Sequence, residues 1–156
     1  MVFRRAASTP QAVPSCSSAE REPLARSALF CEGSGPTAAT ARRKIAEVVG
    51  AFHPEQMVRD AQLVASELIT NALEHGALGT VVLDVAVHPD GVSVCVTSHG
   101  DGDRLPETST WELPDAAARS GRGLAVTQAL SDAVRVVTVR GAAPGRDLIS
   151  VTARVV

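Results

Sequence analysis

Tyrosine is absent from the 156-residue sequence, and aromatic residues make up only 3% of it. A hydrophobic core must therefore be packed from valine, leucine, alanine and isoleucine, in a chain that is long enough for one domain. Lysine is also nearly absent, since Lys44 is the single lysine among fifteen basic residues. Because the formal net charge is −2 and acids and bases are mixed along the chain, the sequence predicts no nucleic-acid partner.

Three further features are missing, and each argues against a class of protein. The three cysteines, Cys16, Cys31 and Cys95, show no CxxC spacing, which argues against a zinc site and against a disulfide framework. No apolar run approaches the roughly 20 residues that span a bilayer. Arg4 and Arg5 are not followed by the apolar segment of a signal peptide. We therefore expect a cytoplasmic protein with reduced thiols and no membrane partner.

The pattern of the chain predicts a flexible N-terminal tail at 1–26 and a single domain at 27–156. The tail is rich in Ser, Pro, Ala and Arg without a sustained period, whereas the domain shows helical and alternating apolar patterns. The predicted order is a strand (27–32), two helices (about 37–51 and 54–75), two strands (80–88 and 92–98), a long loop with one helical turn (99–120, turn at 115–119), a helix (124–130) and two strands (134–140 and 148–156). This order predicts an α+β fold, a two-layer sandwich with helices on one face of a mostly antiparallel sheet.

The second predicted helix carries polar residues at a spacing that indicates a cleft. Glu67, Asn71 and His75 lie four residues apart, and therefore on one flank of the helix, beside a separate apolar stripe. A carboxylate and an amide in this position suit a magnesium ion with attached phosphates, because Mg²⁺ prefers oxygen ligands and retains several waters. The alternative is an ordinary solvent-exposed helix face.

Glycines in two other segments could complete such a site. Gly121 and Gly123 precede the helix at 124–130, where they permit close approach of the backbone to a ligand. The N–H groups of that helix would then point at phosphate, with the helix dipole favouring the anion. The loop at 99–120 is long enough to be a lid, a binding loop or a disordered segment. Together these pieces predict a magnesium-nucleotide site, although a glycine pair before a helix is often only a turn.

Two sequence motifs resemble those of a known superfamily. The segment from Glu67 to Gly76, ELITNALEHG, resembles the N-box of the GHKL (Bergerat-fold) ATPases in its ELxxNAxxH form. The segment from Ser120 to Leu124, SGRGL, resembles their second glycine box, and the hairpin, long loop and closing strands follow in the family's order. The short single-domain layout resembles RsbW-like anti-sigma factors, which are serine/threonine protein kinases. The resemblance covers about residues 28–156 and implies the histidine-kinase-like ATPase fold with ATP and Mg²⁺ as cofactors.

The resemblance implies a role for each matching residue. Asn71 would hold the Mg²⁺ that bridges the phosphates of ATP, and Glu67 would act as general base. His75 would either serve the site or have a structural role. The other residues expected to bind the nucleotide are Gly100, Gly102, Gly121, Arg122, Gly123 and Leu124.

The part of the pocket expected to bind the base departs from the family's pattern at two positions. Ser98 stands where the family normally has an aspartate that accepts a hydrogen bond from the adenine amino group. Asp147 stands where a threonine usually follows the glycine-basic pair. A hydroxyl can still accept a hydrogen bond, with about half the strength of an ionised acceptor. One hypothesis is that Asp147 takes over the adenine contact and Ser98 a lesser one. The alternatives are that Asp147 is an exposed turn residue, or that nucleotide binding is weakened or lost.

The leading interpretation from the resemblance is an ATP-dependent serine/threonine kinase that is also an anti-sigma factor. Its partners would be a sigma factor, which it sequesters, and an antagonist protein, which it phosphorylates; the resemblance also suggests a homodimer. The alternative is a non-catalytic protein-binding module of the same fold. A histidine-kinase catalytic domain is a third interpretation, disfavoured because no dimerising helix with a phosphoacceptor histidine precedes the domain in this sequence.

Overall fold

A computed structural model describes residues 22–33, 37–105 and 122–156. The elements of this part are β1 (Ala25–Glu32), α1 (Thr37–Val49), α2 (Glu55–His75), β2 (Thr80–His88), β3 (Gly91–Gly100), a 3₁₀ turn (Gly102–Arg104), α3 (Arg122–Ala129), β4 (Ala133–Val139) and β5 (Asp147–Val155). The eight predicted helices and strands are all present, and the ends of each differ from the prediction by two residues or fewer. The predicted turn at 115–119 and most of the predicted tail lie outside the described residues.

The five strands form one antiparallel sheet in the order β1-β2-β3-β5-β4. Helices α1 and α2 pack on one face of this sheet, and α3 packs against α2. The α+β sandwich expected from the sequence is therefore confirmed. The order also places the end of β3 beside the start of β5, because these two strands are neighbours although the chain between them is long.

The core lies between the sheet and the helices, and aliphatic residues fill it. Strand β2 buries every second residue, so that its buried face meets α1 and α2. Ala61 and Ala65 of α2 are fully buried, and their small side chains let this helix lie close to the sheet. The larger apolar side chains with the least exposure, each contributing about 1.5–3 kcal/mol by its burial, are Ile45, Ile69, Leu83, Val49, Val64, Val81, Val85, Val87, Val92, Val94 and Val155. α2 is thus held firmly, and so are the polar residues on its flank.

Cys31 is a free, buried thiol, and its burial raises the pKa of that thiol. This agrees with the expectation of reduced thiols at Cys31, while Cys16 lies outside the described residues. In the part of the chain that the structure describes, no helix has the length and apolar character needed to cross a membrane.

Candidate functional site

Helix α2 places Glu67 and Asn71 at the border of its buried face. The adjacent residues Leu68 and Ile69 are buried against the core, so Glu67 and Asn71 are turned to the flank and are half-buried. Neither residue is fully exposed to solvent. His75, one turn further on, is the last residue of the helix and is exposed.

The first turn of α3 lies directly against this flank of α2. A Cβ atom built on Gly123 would lie 2.3 Å from Oε2 of Glu67 and 3.3 Å from Nδ2 of Asn71. Any residue other than glycine would therefore push the Glu67 carboxylate away. The predicted meeting of α2 with the glycine turn is confirmed at Gly123, whereas Gly121 lies outside the described residues.

The first turn of α3 lies beside Glu67 and Asn71, with its buried side towards α2. Gly123 and Thr127 are buried on the side that faces α2, and the Thr127 hydroxyl donates to the Gly123 carbonyl at 2.9 Å. Leu124 packs against the core, and Arg122 is exposed at the start of the helix. Because the backbone N–H groups of a first helical turn and the helix dipole both favour anions, this end of α3 can bind phosphate.

Asn71 has a buried polar atom without a partner. Its Nδ2 is shielded from solvent and makes no hydrogen bond with any of the described residues. A buried amide left unpaired costs roughly 1–3 kcal/mol, and such groups in native proteins commonly serve a function. An acceptor atom of a ligand, such as a phosphate oxygen, would satisfy this NH₂ group.

Glu67, Asn71 and Gly123 fit a magnesium ion that is carried by phosphate. The described ranges contain no group of three or more His, Cys, Asp or Glu side chains that could hold a metal by themselves. Mg²⁺ bound to a nucleotide needs only one or two protein oxygens, because phosphate and water supply the other ligands. Oδ1 of Asn71 is the atom of this amide that would hold such an ion, whereas the unpaired Nδ2 is a hydrogen-bond donor that suits a phosphate oxygen.

Ser98 lies on the side of β3 that faces the helices. Val94, Val96, Ser98 and Gly100 are buried in alternation along the strand, and Ser98 is 9% exposed. A hydroxyl therefore faces the helix layer where the family normally has a carboxylate. This part of β3 is tied to the end of α2, because the Ala77 N–H donates to the carbonyl of the next strand residue, His99, at 2.7 Å.

Asp147 begins β5 and pairs with Gly100 across the sheet. It is 5% exposed, so the alternative of an exposed turn residue is wrong. Its Oδ1 accepts from the Gly141 N–H at 2.9 Å, and its Oδ2 accepts from the Gly102 N–H and from Nη1 of Arg140, each at 3.0 Å. The backbone donors Gly141 and Gly102, followed by the Arg140 charge, hold the pKa of Asp147 below its usual range.

Arg140 and Asp103 also belong to this end of the site, and the sequence reasoning missed both. Nη2 of Arg140 donates to Oδ1 of Asp103, and this contact lowers the pKa of Asp103. The two residues lie 37 positions apart and meet only because β4 is joined to β3 through β5. One sequence feature could have pointed to this contact, since acidic residues follow one predicted strand and an arginine ends another. The order of the strands in the sheet, which brings them together, could not be read from the sequence.

Comparison with known proteins identifies the family. A family model described as a histidine kinase-like ATPase domain matches residues 35–149, which is more than half of the chain and includes Glu67, Asn71, Ser98, Gly123 and Asp147. A search of curated proteins finds no match. The match supports the predicted resemblance to the GHKL ATPases, whose domains bind ATP, usually with Mg²⁺, and it points to an ATP-binding regulatory role. The chain belongs to the histidine kinase-like ATPase domain family.

Proposed function

We propose that this protein is an ATP- and Mg²⁺-dependent serine/threonine kinase of the anti-sigma factor type. It sequesters a sigma factor in the cytoplasm and phosphorylates a serine or threonine of an antagonist protein. The observation that carries the enzymatic part is the contact of Gly123 with Glu67 and Asn71, which puts a carboxylate, an amide and a helix N-terminus at one place. The choice of partners rests on the short layout and on the motifs that resemble RsbW-like proteins.

In phosphoryl transfer these residues act mainly by positioning the reacting groups and by neutralising charge. The amide of Asn71 would hold the magnesium ion, which neutralises charge on the phosphates when it is bound. The first turn of α3, beginning at Arg122 and Gly123, binds the phosphate oxygens through backbone N–H groups. Glu67 accepts the proton of the attacking hydroxyl and thereby orients it.

Phosphate transfer from labelled ATP to a co-expressed antagonist tests this function. We expect nucleotide binding that depends on Mg²⁺, followed by label on a serine or threonine of the antagonist. A purified protein that binds no nucleotide with or without Mg²⁺, and that labels no antagonist, would refute the kinase proposal.

A non-catalytic binding module is the second candidate, and Ser98 is the observation that favours it. A neutral hydroxyl at this buried position weakens recognition of the base relative to a carboxylate. If this candidate is right, the partner binds with equal affinity in the presence and absence of ATP and Mg²⁺. A partner affinity that changes with nucleotide excludes it.

Ser98→Asp is expected to raise the affinity for ATP by about fivefold, because an ionised acceptor makes a hydrogen bond stronger by roughly 1 kcal/mol. Titration calorimetry of the variant and the wild type measures the change. Ser98→Asn is the matched control, since it adds an acceptor oxygen without charge and should give a smaller gain. Unchanged ATP affinity in a folded Ser98→Asp protein would show that the base does not lie at Ser98.

Gly123→Ala is expected to lower nucleotide affinity by about tenfold, because overpacking at this contact displaces the Glu67 carboxylate into the site. The same substitution in a Glu67→Ala background should cost less than about threefold, since the methyl group then has room. Binding titrations of the four proteins give this double-mutant cycle. Additive losses would mean that Gly123 acts independently of Glu67.

A further inference from the structure

Two loops that are distant in the sequence meet on the carboxylate of Asp147. Gly102 follows β3 and lies 45 positions from Asp147, whereas Gly141 follows β4 and lies 6 positions from it. Both backbone N–H groups donate to the carboxylate, and Arg140 donates to it as well. We call these four residues the Asp147 clamp.

The packing at Gly102 leaves no room for a side chain. A Cβ atom on Gly102 would lie 2.6 Å from Cγ2 of Thr138 and 2.9 Å from Oδ2 of Asp147. The backbone of the 3₁₀ turn can therefore reach the carboxylate only because this residue is glycine. The pairing of Gly100 with Asp147 already joins the two strands, and the contact at Gly102 holds the 3₁₀ turn that follows β3 against the start of β5.

The clamp is strong for electrostatic reasons. The Asp147 side chain is 7% exposed, and hydrogen bonds to an ionised acceptor are about twice as strong as those between neutral groups. Arg140 donates to Asp103 as well as to Asp147, so the 3₁₀ turn is attached to the clamp at two points. The lowered pKa of Asp147 is consistent with a carboxylate that stays ionised in this setting.

The same contacts leave the carboxylate with little capacity for a ligand. An ionised carboxylate has about four sites for hydrogen-bond donors, and the protein itself fills three of them at Asp147. The fourth site belongs to a side chain that is almost completely covered. Asp147 is therefore poorly placed to accept a further hydrogen bond from a nucleotide base.

We propose that Asp147 is a positioning residue, which fixes the 3₁₀ turn Gly102–Arg104 at the end of β3 through the clamp and does not itself bind the base. The part of this statement that concerns the base rests on the proposed function, because it assumes that a nucleotide occupies the site. Loss of the clamp loosens this turn, which borders the site, and so weakens binding of any nucleotide, whatever group its base carries.

Amide hydrogen exchange in the ligand-free protein tests the clamp itself. Asp147→Asn keeps the shape of the side chain but turns an NH₂ group towards one of the three donors, so exchange at Gly102 and Gly141 should become at least about tenfold faster. Arg140→Gln, at an exposed side chain, should give a smaller increase at the same amides. Asp84→Asn is the matched control, because Asp84 pairs with Arg26 far from the site and should leave both amides unchanged. Unchanged exchange in both Asp147→Asn and Arg140→Gln overturns the proposal.

Binding of two nucleotides tests whether Asp147 touches the base. Affinities for ATP and for purine riboside triphosphate, which lacks the amino group, are measured with Mg²⁺ in the wild type and in Asp147→Asn. A positioning role predicts that both affinities fall by the same factor, within about twofold. If Asp147→Asn weakens ATP alone, the residue contacts the base and the proposal is overturned. If the wild type binds neither nucleotide, the proposed function fails, and the exchange experiment still decides whether the clamp exists.

Discussion

Asn71→Ala is expected to abolish Mg²⁺-dependent nucleotide binding while leaving the protein at least as stable as the wild type. Loss of the amide that holds the metal should reduce affinity for Mg²⁺-ATP by about 100-fold. The fold should not suffer, because the variant removes a buried Nδ2 that makes no hydrogen bond with the described residues. Alanine also favours the helical conformation, so the free energy of unfolding should rise by about 1 kcal/mol.

Two measurements on the same protein separate these effects. Calorimetric titration with ATP, with and without Mg²⁺, gives the affinity, and urea denaturation gives the free energy of unfolding. Thr70→Ala is the matched control, since Thr70 is the adjacent residue of α2 and is exposed. If Asn71→Ala unfolds more readily and binds Mg²⁺-ATP as well as the wild type, Asn71 is a structural residue and not a ligand of the metal.

The phosphate-binding part of the site could be predicted because it depends on local spacing. Glu67 and Asn71 lie on the same flank of α2 because residues four apart in a helix share a face. Gly123 could be placed near the start of a helix from the glycines alone, and its contact with Glu67 followed from the family motifs. The position of each residue within its helix is thus set by local sequence, whereas the contact between the two helices was implied only by the motifs.

The base-binding part could be predicted only in outline, because it depends on the pairing of strands. Asp147 could be recognised as unusual, but its burial follows from its position opposite Gly100, which is set by the register of β3 and β5. Nothing local to Asp103 or Arg140 indicates that they meet. A short 3₁₀ turn, too brief to give a periodic pattern, places Asp103 within reach of Arg140.

These two parts of the site also differ in what the chain has kept of the family's pattern. Glu67, Asn71 and Gly123 match the motifs and lie in contact, whereas Ser98 replaces the usual carboxylate. Phosphoryl transfer depends on how the phosphates and the attacking group are positioned, and little on the base. Under the proposed function, a chain of this kind can therefore lose affinity for ATP at Ser98 and still retain the groups proposed to act on the phosphates.

Glu67→Gln is expected to reduce phosphate transfer by about 10²- to 10⁴-fold, the usual contribution of a general base. Glutamine has nearly the same shape and preserves the packing against Gly123, so ATP affinity should change by less than about threefold. Single-turnover transfer from labelled ATP to the antagonist measures the rate, and titration with ATP measures the affinity.

Glu74→Gln is the matched control for this substitution, because Glu74 lies on the same helix and is exposed. It should leave both the rate and the affinity unchanged. A Glu67→Gln protein that transfers phosphate at the wild-type rate would remove the general base from the proposal, although Asn71 could still hold the metal. A protein that loses affinity and rate by the same factor would instead assign Glu67 to nucleotide binding. Only loss of rate with affinity retained, combined with loss of affinity in Asn71→Ala, establishes that adjacent turns of α2 have separate roles in one reaction.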